Sequence, residues 1–381
     1  MQKKLIALAI AAAFSAPAFA DVTMYGVADA AVVNVSADGQ KSDLLAYSGG
    51  LAQSRLGAKA VQDLDNGMKA VVVLEYGLDT QVASGLTSAT ARQQMLAVAG
   101  GFGTFATGYL QTTGYDWACK FDPTCGSAVS PLQNVTGGST FLIGSAAGAA
   151  RAQRALAYIS PDMNGLSFAV NYSTALSGLG ELTVPSATAV QAKSTAYLLS
   201  ASYNAGPLSV GAVYVGATLG TNELNPVAPG HASTLSGTDV ALGASYDLGV
   251  AKLFATYQTT TTGTNNIVTT AGTNKAMSFS AVAPVGPGAI AVSYAKNDVD
   301  AGSTLSSLSK VGTGTDMGAS GMTVAWLQGL SKTTTLYAAY SKMSQGANTR
   351  SYSVINNALS AASLNAGGGS TLIALGLNQK F

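Results

Sequence analysis

The chain ends on eleven residues, Thr371-Leu-Ile-Ala-Leu-Gly-Leu-Asn-Gln-Lys-Phe381, that alternate one in two. Thr371, Ile373, Leu375, Leu377 and Phe381 fall on one face, and Ala374, Gly376, Asn378 and Lys380 fall on the other. A period of two predicts a strand. With apolar residues on one side and small or polar ones on the other, such a strand separates oil from water. It cannot do so alone, because its N–H and C=O groups need partners on both edges, and in a bilayer a closed barrel supplies them. The alternation recurs at the other end, where Val22, Met24, Ala28, Ala30 and Val32 oppose Thr23, Tyr25 and Asp29. It recurs in between, as in Leu166, Phe168, Val170 and Tyr172 against Ser167, Ala169 and Asn171, or Val240, Leu242, Ala244 and Tyr246 against Ala241, Gly243 and Ser245.

Seven tight connections punctuate these runs, at 65–67, 100–103, 161–165, 204–207, 247–249, 285–288 and 329–332. The first, Asp65-Asn-Gly67, carries the strongest short hairpin signal. Seven hairpins give fourteen strands, and the runs beginning at Val22 and Thr371 make sixteen. Between hairpins lie longer polar or Gly-rich connections, at 34–53, 80–90, 112–152, 173–194, 216–238, 258–275, 296–320 and 342–369. An even strand count, with short turns at one end and long loops at the other, predicts an all-β fold, a transmembrane antiparallel barrel. The third loop is the longest and the most apolar, with Phe141-Leu-Ile143 and the small-residue run Gly144 to Ala150. A loop that apolar needs cover, so it is expected to fold into the lumen against the wall.

Composition agrees with strands and disagrees with helices. Charged residues make up 10% of the 381, against about 25% in an ordinary soluble domain. Yet no apolar run approaches the roughly 18 residues that a spanning helix needs. Residues 1–20 combine Lys3 and Lys4, an apolar run from Leu5 to Phe14, and Ala18-Phe19-Ala20 before Asp21. They read as a cleaved secretory leader, which leaves 21–381 as one barrel domain. Losing the two leader lysines takes the formal charge from +1 to −1, so no nucleic-acid partner is expected.

Little in the chain promises bond chemistry. Its one histidine, His231, sits in a Pro- and Gly-rich loop with no nucleophile motif beside it. Hydrolysis would need a base near a Ser or Asp, so an enzyme is not expected, nor is a cofactor. Cys119 and Cys125 stand six apart in an exported chain, where a disulfide-closed turn is expected. The alternative, a metal site, would need two further ligands. Tyr172, Tyr203, Tyr246, Tyr257, Tyr294 and Tyr340 are read as ending strands, where amphipathic rings form an interfacial girdle.

Several segments, in order along the chain, resemble the sixteen-stranded trimeric general porins of Gram-negative outer membranes. They are Val22-Thr-Met-Tyr-Gly-Val-Ala-Asp-Ala, Ser54-Arg-Leu-Gly-Ala-Lys, Asp63-Leu-Asp-Asn-Gly-Met-Lys-Ala, Ala91-Arg-Gln, Gly103-Thr-Phe-Ala-Thr-Gly, Tyr158-Ile-Ser-Pro, Gly206-Pro-Leu-Ser-Val-Gly-Ala, Gly243-Ala-Ser-Tyr-Asp, Leu336-Tyr-Ala-Ala-Tyr and the terminal Phe381. The resemblance implies a homotrimer among outer-membrane lipids, diffusion of small hydrophilic solutes, and a third loop that narrows the pore. It also implies that Phe381 is the signal read by the barrel assembly machinery. Two departures stand out. Tyr109 follows Gly108 where the family usually has Arg, and the third loop offers only Asp116 and Asp122 where the family usually has an acidic cluster.

Period two also sorts the charges. Arg55 and Lys59 share a face opposite Leu56 and Ala58, while Lys69, Glu75 and Asp79 oppose Met68, Val72, Leu74 and Leu78. A Lys or Arg facing lipid at mid-bilayer costs about 2–4 kcal/mol, so these charges, with Asp29, are assigned to the lumen. The expected constriction sets Arg55, Lys59, Arg92, Arg151 and Arg154 as a basic wall against Asp116 and Asp122 on the loop, with water between. Five basic groups against two acidic ones predict a mild anion preference, tempered by Asp29, Glu75 and Asp79. The competing readings are a solute-specific channel and a structural or adhesive barrel whose lumen is filled.

Overall fold

A computed structural model of the chain describes residues 21–83, 90–137, 150–176, 195–221, 233–262, 272–300, 316–349, 354 and 365–381. The leader, His231, Phe141-Leu-Ile143 and all of the Gly144 to Ala150 run except Ala150 lie outside the described residues.

The wall opens with β1 (Asp21–Ala37), β2 (Asp43–Ser48), β3 (Arg55–Asp63), β4 (Lys69–Gly77), β5 (Thr90–Gly100) and β6 (Gly103–Gln111). Next come β7 (Arg151–Ile159), β8 (Leu166–Ser173), β9 (Ala175–Leu176), β10 (Thr195–Ala205), β11 (Leu208–Thr221) and β12 (Ser233–Asp247). It closes with β13 (Lys252–Thr262), β14 (Gly272–Val285), β15 (Gly288–Asp298), β16 (Ala319–Gly329), β17 (Thr334–Gln345) and β18 (Gly369–Lys380). These eighteen segments are sixteen wall strands. β2 and β3 both pair with β1 and are two lengths of one strand, and β8 and β9 both pair with β7.

The barrel shuts by antiparallel pairing of β1 with β18, from Val27 opposite Lys380 to Ala37 opposite Ser370. Two further backbone bonds extend the seam, Gly26 N–H to Phe381 O at 2.9 Å and Phe381 N–H to Gly26 O at 3.2 Å. The Phe381 ring lies over Gly26, where an added Cβ would stand 2.3 Å from it. Only a glycine lets the terminal ring settle there. All seven tight connections join hairpins, while several strands run past the expected loop limits. β11 reaches Thr221 and β12 starts at Ser233, inside the expected loop 216–238. Their Ser, Thr and Gly residues read as loop, but each strand finds a paired neighbour and the ladder continues.

Outward-facing side chains along the wall are apolar and exposed, among them Leu242, Phe279, Ile373 and Leu375. Of the tyrosines read as strand ends, Tyr172, Tyr203 and Tyr246 lie near the ends of β8, β10 and β12. Tyr257, Tyr294 and Tyr340 instead stand in the middle of β13, β15 and β17, because those strands run longer than their alternation indicates.

The third loop turns inside. It carries α1 (Thr113–Phe121) and α2 (Pro131–Thr136). Thr112 caps α1 by accepting from Tyr115 N–H, and Ser130 caps α2 by accepting from Gln133 N–H, with Pro131 opening the helix. Trp117, Ala118 and Phe121 pack on the inner faces of β6, β7 and β10–β12, and Val129, Leu132 and Val135 pack on those of β14–β18. Phe121 is fully buried on two inner-wall glycines, Gly211 and Gly243, where a Cβ would come within 2.8 and 2.3 Å of its ring. Burying such a ring contributes about 1.5–3 kcal/mol. Polar latches complete the attachment: Thr323 Oγ1 donates to Val129 O at 2.6 Å and Asn297 Nδ2 to Val135 O at 2.6 Å.

Candidate pore constriction

Between this loop and the β3–β7 wall lies a cavity of about 570 Å³ lined by Arg55, Glu75, Arg92, Tyr109, Tyr115 and Arg151, with Ala52, Gln53, Gln111 and the Cys119–Cys125 pair. The strands explain how three guanidinium groups converge. Arg55 opens β3 and faces inward by alternation. Arg92 stands in β5 where the register against β4 shifts, Glu75 pairing with Gln93 and Tyr76 with Ala91, so Arg92 is the extra residue of a bulge. Arg151 opens β7 as the loop returns to the wall.

One carboxylate organises two of these cations. Glu75 Oε1 accepts from Arg92 Nε at 2.7 Å, while Glu75 Oε2 stands 3.7 Å from Arg55 Nε and accepts from Tyr25 Oη at 3.1 Å. Arg151 is held differently. Its guanidinium lies over the Tyr115 ring at 4.5 Å, and Nη1 donates to Ala150 O at 2.8 Å. Its Nε has no hydrogen-bond partner among the described residues. Among the described residues the cavity is therefore lined by three guanidinium groups and one carboxylate, and that carboxylate belongs to the wall.

The other expected site residues separate from this cluster. Asp122 is buried inside the loop, accepting from Thr124 N–H at 2.9 Å, Thr124 Oγ1 at 2.7 Å and Ser130 Oγ. Burial raises its carboxyl pKa above the ordinary value, against the pull of those hydrogen bonds. It braces the turn between the helices and does not face the basic wall. Asp116 accepts from Gln111 Nε2 and lines a separate cleft of about 170 Å³ on the far side of α1. The loop thus turns Tyr115 and the disulfide, both uncharged, toward the cations. The expected acidic face is absent from this cavity: Asp116 stands about 100° around α1 from Tyr115 and lines the neighbouring cleft.

Arg154 stands exposed at φ 48°, where the β6–β7 register shifts, and does not line the cavity. Lys59 faces inward but four residues beyond Arg55, roughly 13 Å further toward the short turns. Lys69 pairs with Asp63 at the first short turn, far from the cluster along β4. Asp79 lies past the end of β4 and accepts from Gln81 N–H at 2.9 Å, a turn residue in place of a lumen charge. Asp29 points inward yet is fully buried, so it does not line open lumen either. Alternation gives each its face; height along the barrel comes from register, which no single strand contains.

Alternation puts Glu75 in the lumen without revealing its role as organiser, and Gln53 escapes the sequence reading. Residues 49–54 interrupt β2 and β3, and the fold brings Gln53 to the cluster. Gln53 Oε1 accepts from Arg92 Nη1, and its backbone oxygen accepts from Arg55 Nη1 at 3.1 Å. The pair Gly49-Gly50 is the one local signal of this interruption. Glu75 as the organiser has no local signal, because its partners come from two other strands. The disulfide joins Cys119 and Cys125 across the end of α1, and the described residues hold no cluster of metal-ligating side chains.

A family model described as "Gram-negative porin" matches residues 7–348. Major outer membrane protein P.IB of Neisseria gonorrhoeae is 39% identical over 118 residues, 29% of this chain and 33% of that protein. The protein of the same description from Neisseria meningitidis serogroup B is 33% identical over 117 residues, 29% of this chain and 34% of that one. The chain thus aligns with about a third of the length of these relatives. Among solved structures, the anion-selective porin from Comamonas acidovorans superposes with a TM-score of 0.73 at 23% identity, covering 95% of this chain and all of that one. A trimer form of OmpT from Vibrio cholerae superposes at 0.61 with 16% identity, covering 95% and 99%. At such identities the likeness concerns the fold.

Proposed function

Because the chain belongs to the Gram-negative porin family, we propose that it forms a water-filled outer-membrane channel for passive diffusion of ions and small hydrophilic solutes, with a mild anion preference. The observation that carries this reading is the cavity beside the third loop, open and lined by three guanidinium groups and one carboxylate. Fixed charge in a narrow aqueous passage raises the local concentration of counter-ions and repels co-ions. Arg55, Arg92 and Arg151 carry that field, and Glu75 limits it.

Lys59 and Lys120, whose Nζ donates to Asn204 Oδ1 at 2.8 Å in a short turn, add cationic groups toward that end, while buried Asp122 takes no part in selection at this cavity. The anion-selective protein with the same fold supports the sign of the preference. Assembly as a homotrimer draws on the trimer form described for OmpT. Removal of residues 1–20 on export and recognition of Phe381 by the assembly machinery complete the proposal.

Single-channel recording in a planar bilayer under a salt gradient tests it. An open channel with an anion-biased reversal potential, in three equal steps, supports the reading. A cation-biased potential overturns the assignment of selectivity to the arginines. Absence of conductance favours a filled, structural barrel.

A further inference from the structure

The structure assigns a buried carboxylate, Asp29, as the positioning residue of a second inward fold that narrows the pore beside the third loop. The inference rests on the channel reading. Its starting point is the interruption at residues 49–54, between the two lengths of strand that pair with β1. Such a break exposes backbone N–H groups with no ladder partner, and each must find one. Asp29 supplies it. Its Oδ1 accepts from Leu51 N–H at 3.3 Å and its Oδ2 from Ala52 N–H at 3.1 Å. The same carboxylate accepts from Tyr337 Oη at 2.7 Å and Asn378 Nδ2 at 2.7 Å, which ties the fold to β17 and β18.

The backbone of Asp29 takes part as well. Its N–H donates to Ser54 Oγ at 3.0 Å, and its carbonyl accepts from Ser54 Oγ at 3.1 Å and Gly49 N–H at 3.1 Å. From the lumen side, Ala128 of the third loop donates its N–H to Gly50 O at 3.2 Å. The inward fold is therefore clamped between wall and loop, and Asp29 is its largest single anchor. An unpaired buried carboxylate is costly, and four donors from three elements satisfy this one.

Function enters through Gln53, the exposed tip of this fold. It accepts from Arg92 through its side chain and from Arg55 through its backbone, so it adds a second hold on the two guanidinium groups that Glu75 organises. Asp29 thereby sets pore width and cation spacing without touching solute. This explains why a charge so well placed by alternation to line the lumen is withdrawn from it.

The test is a double-mutant cycle on the full-length protein in planar bilayers. Asp29→Asn loses the charge but keeps the volume, Gln53→Ala removes the tip, and Tyr337→Phe removes one donor to Asp29 while keeping its ring. We expect Asp29→Asn and Gln53→Ala each to raise low-salt conductance about 1.5- to 2-fold with a shifted reversal potential, and the double variant to change it no further. Tyr337→Phe should move both readings in the same direction by less. The assignment is overturned if Asp29→Asn only lowers the unfolding temperature with conductance and reversal potential unchanged, or if its effect adds to that of Gln53→Ala. Should Asp29→Asn fail to fold, Tyr337→Phe against Gln53→Ala gives the same cycle. A silent wild-type channel would instead count against the pore reading itself.

Discussion

Glu75 and Arg92 meet across the shifted register of β4 and β5, Oε1 to Nε at 2.7 Å, and the second oxygen of that carboxylate stands 3.7 Å from Arg55. One acid thus offsets part of two cations in the cavity beside the third loop, and on the proposed channel reading ionic selectivity depends on this ratio.

Glu75→Gln is expected to strengthen anion preference. A unit charge at 4 Å is worth about 1 kcal/mol in water, so the permeability ratio should rise by roughly fivefold at low salt. The gain should shrink at high salt, where charges are screened within about 3 Å at 1 M. Reversal potentials measured at two ionic strengths check it, and a shift toward cations would contradict it.

Arg151→Gln should do the opposite, lowering anion preference and low-salt conductance together. Tyr115→Leu should loosen the guanidinium without removing it, because a cation over a ring is held by about 0.5–2 kcal/mol. Its expected signature is added open-channel noise with little change in reversal potential.

Asp122→Asn should leave both conductance and selectivity unchanged, since the side chain braces the loop and does not face the pore. The sign of its pH effect follows from the raised pKa. The folded state holds this proton more tightly than the unfolded state, so its contribution favours folding at low pH and weakens as pH rises from about 4 through the folded pKa. Thermal unfolding in detergent across that range should show this component in the native protein and lose it in the variant.

Phe121→Ala and Gly243→Ala should both disturb the third loop, from opposite sides of one contact. Truncating a buried Phe costs about 3–5 kcal/mol, and a Cβ at Gly243 would stand 2.3 Å from the ring. Faster proteolysis within the loop and a less uniform conductance are expected for both, with barrel pairing intact. Resistance equal to that of the native chain would show that the ring does not anchor α1.

Local pattern along the chain sets the wall. Alternation along Val240 to Tyr246 or Thr371 to Phe381 is set by strand geometry, which has the same period wherever it occurs, and the seven turns carry their own local chemistry. It determined which face Arg55, Glu75 and Lys69 occupy, because the wrong face meets lipid. Which of these charges meet follows from how the strands are assembled. Height along a barrel is a property of register between strands, and that register places Glu75 beside Arg92 and leaves Lys69 at the first short turn. The packing of α1 on the wall decided that Asp116 lines the neighbouring cleft with Lys120, and burial decided that Asp122 and Asp29 became anchors. In each of these cases the deciding partner lies on another element, beyond the reach of any local pattern.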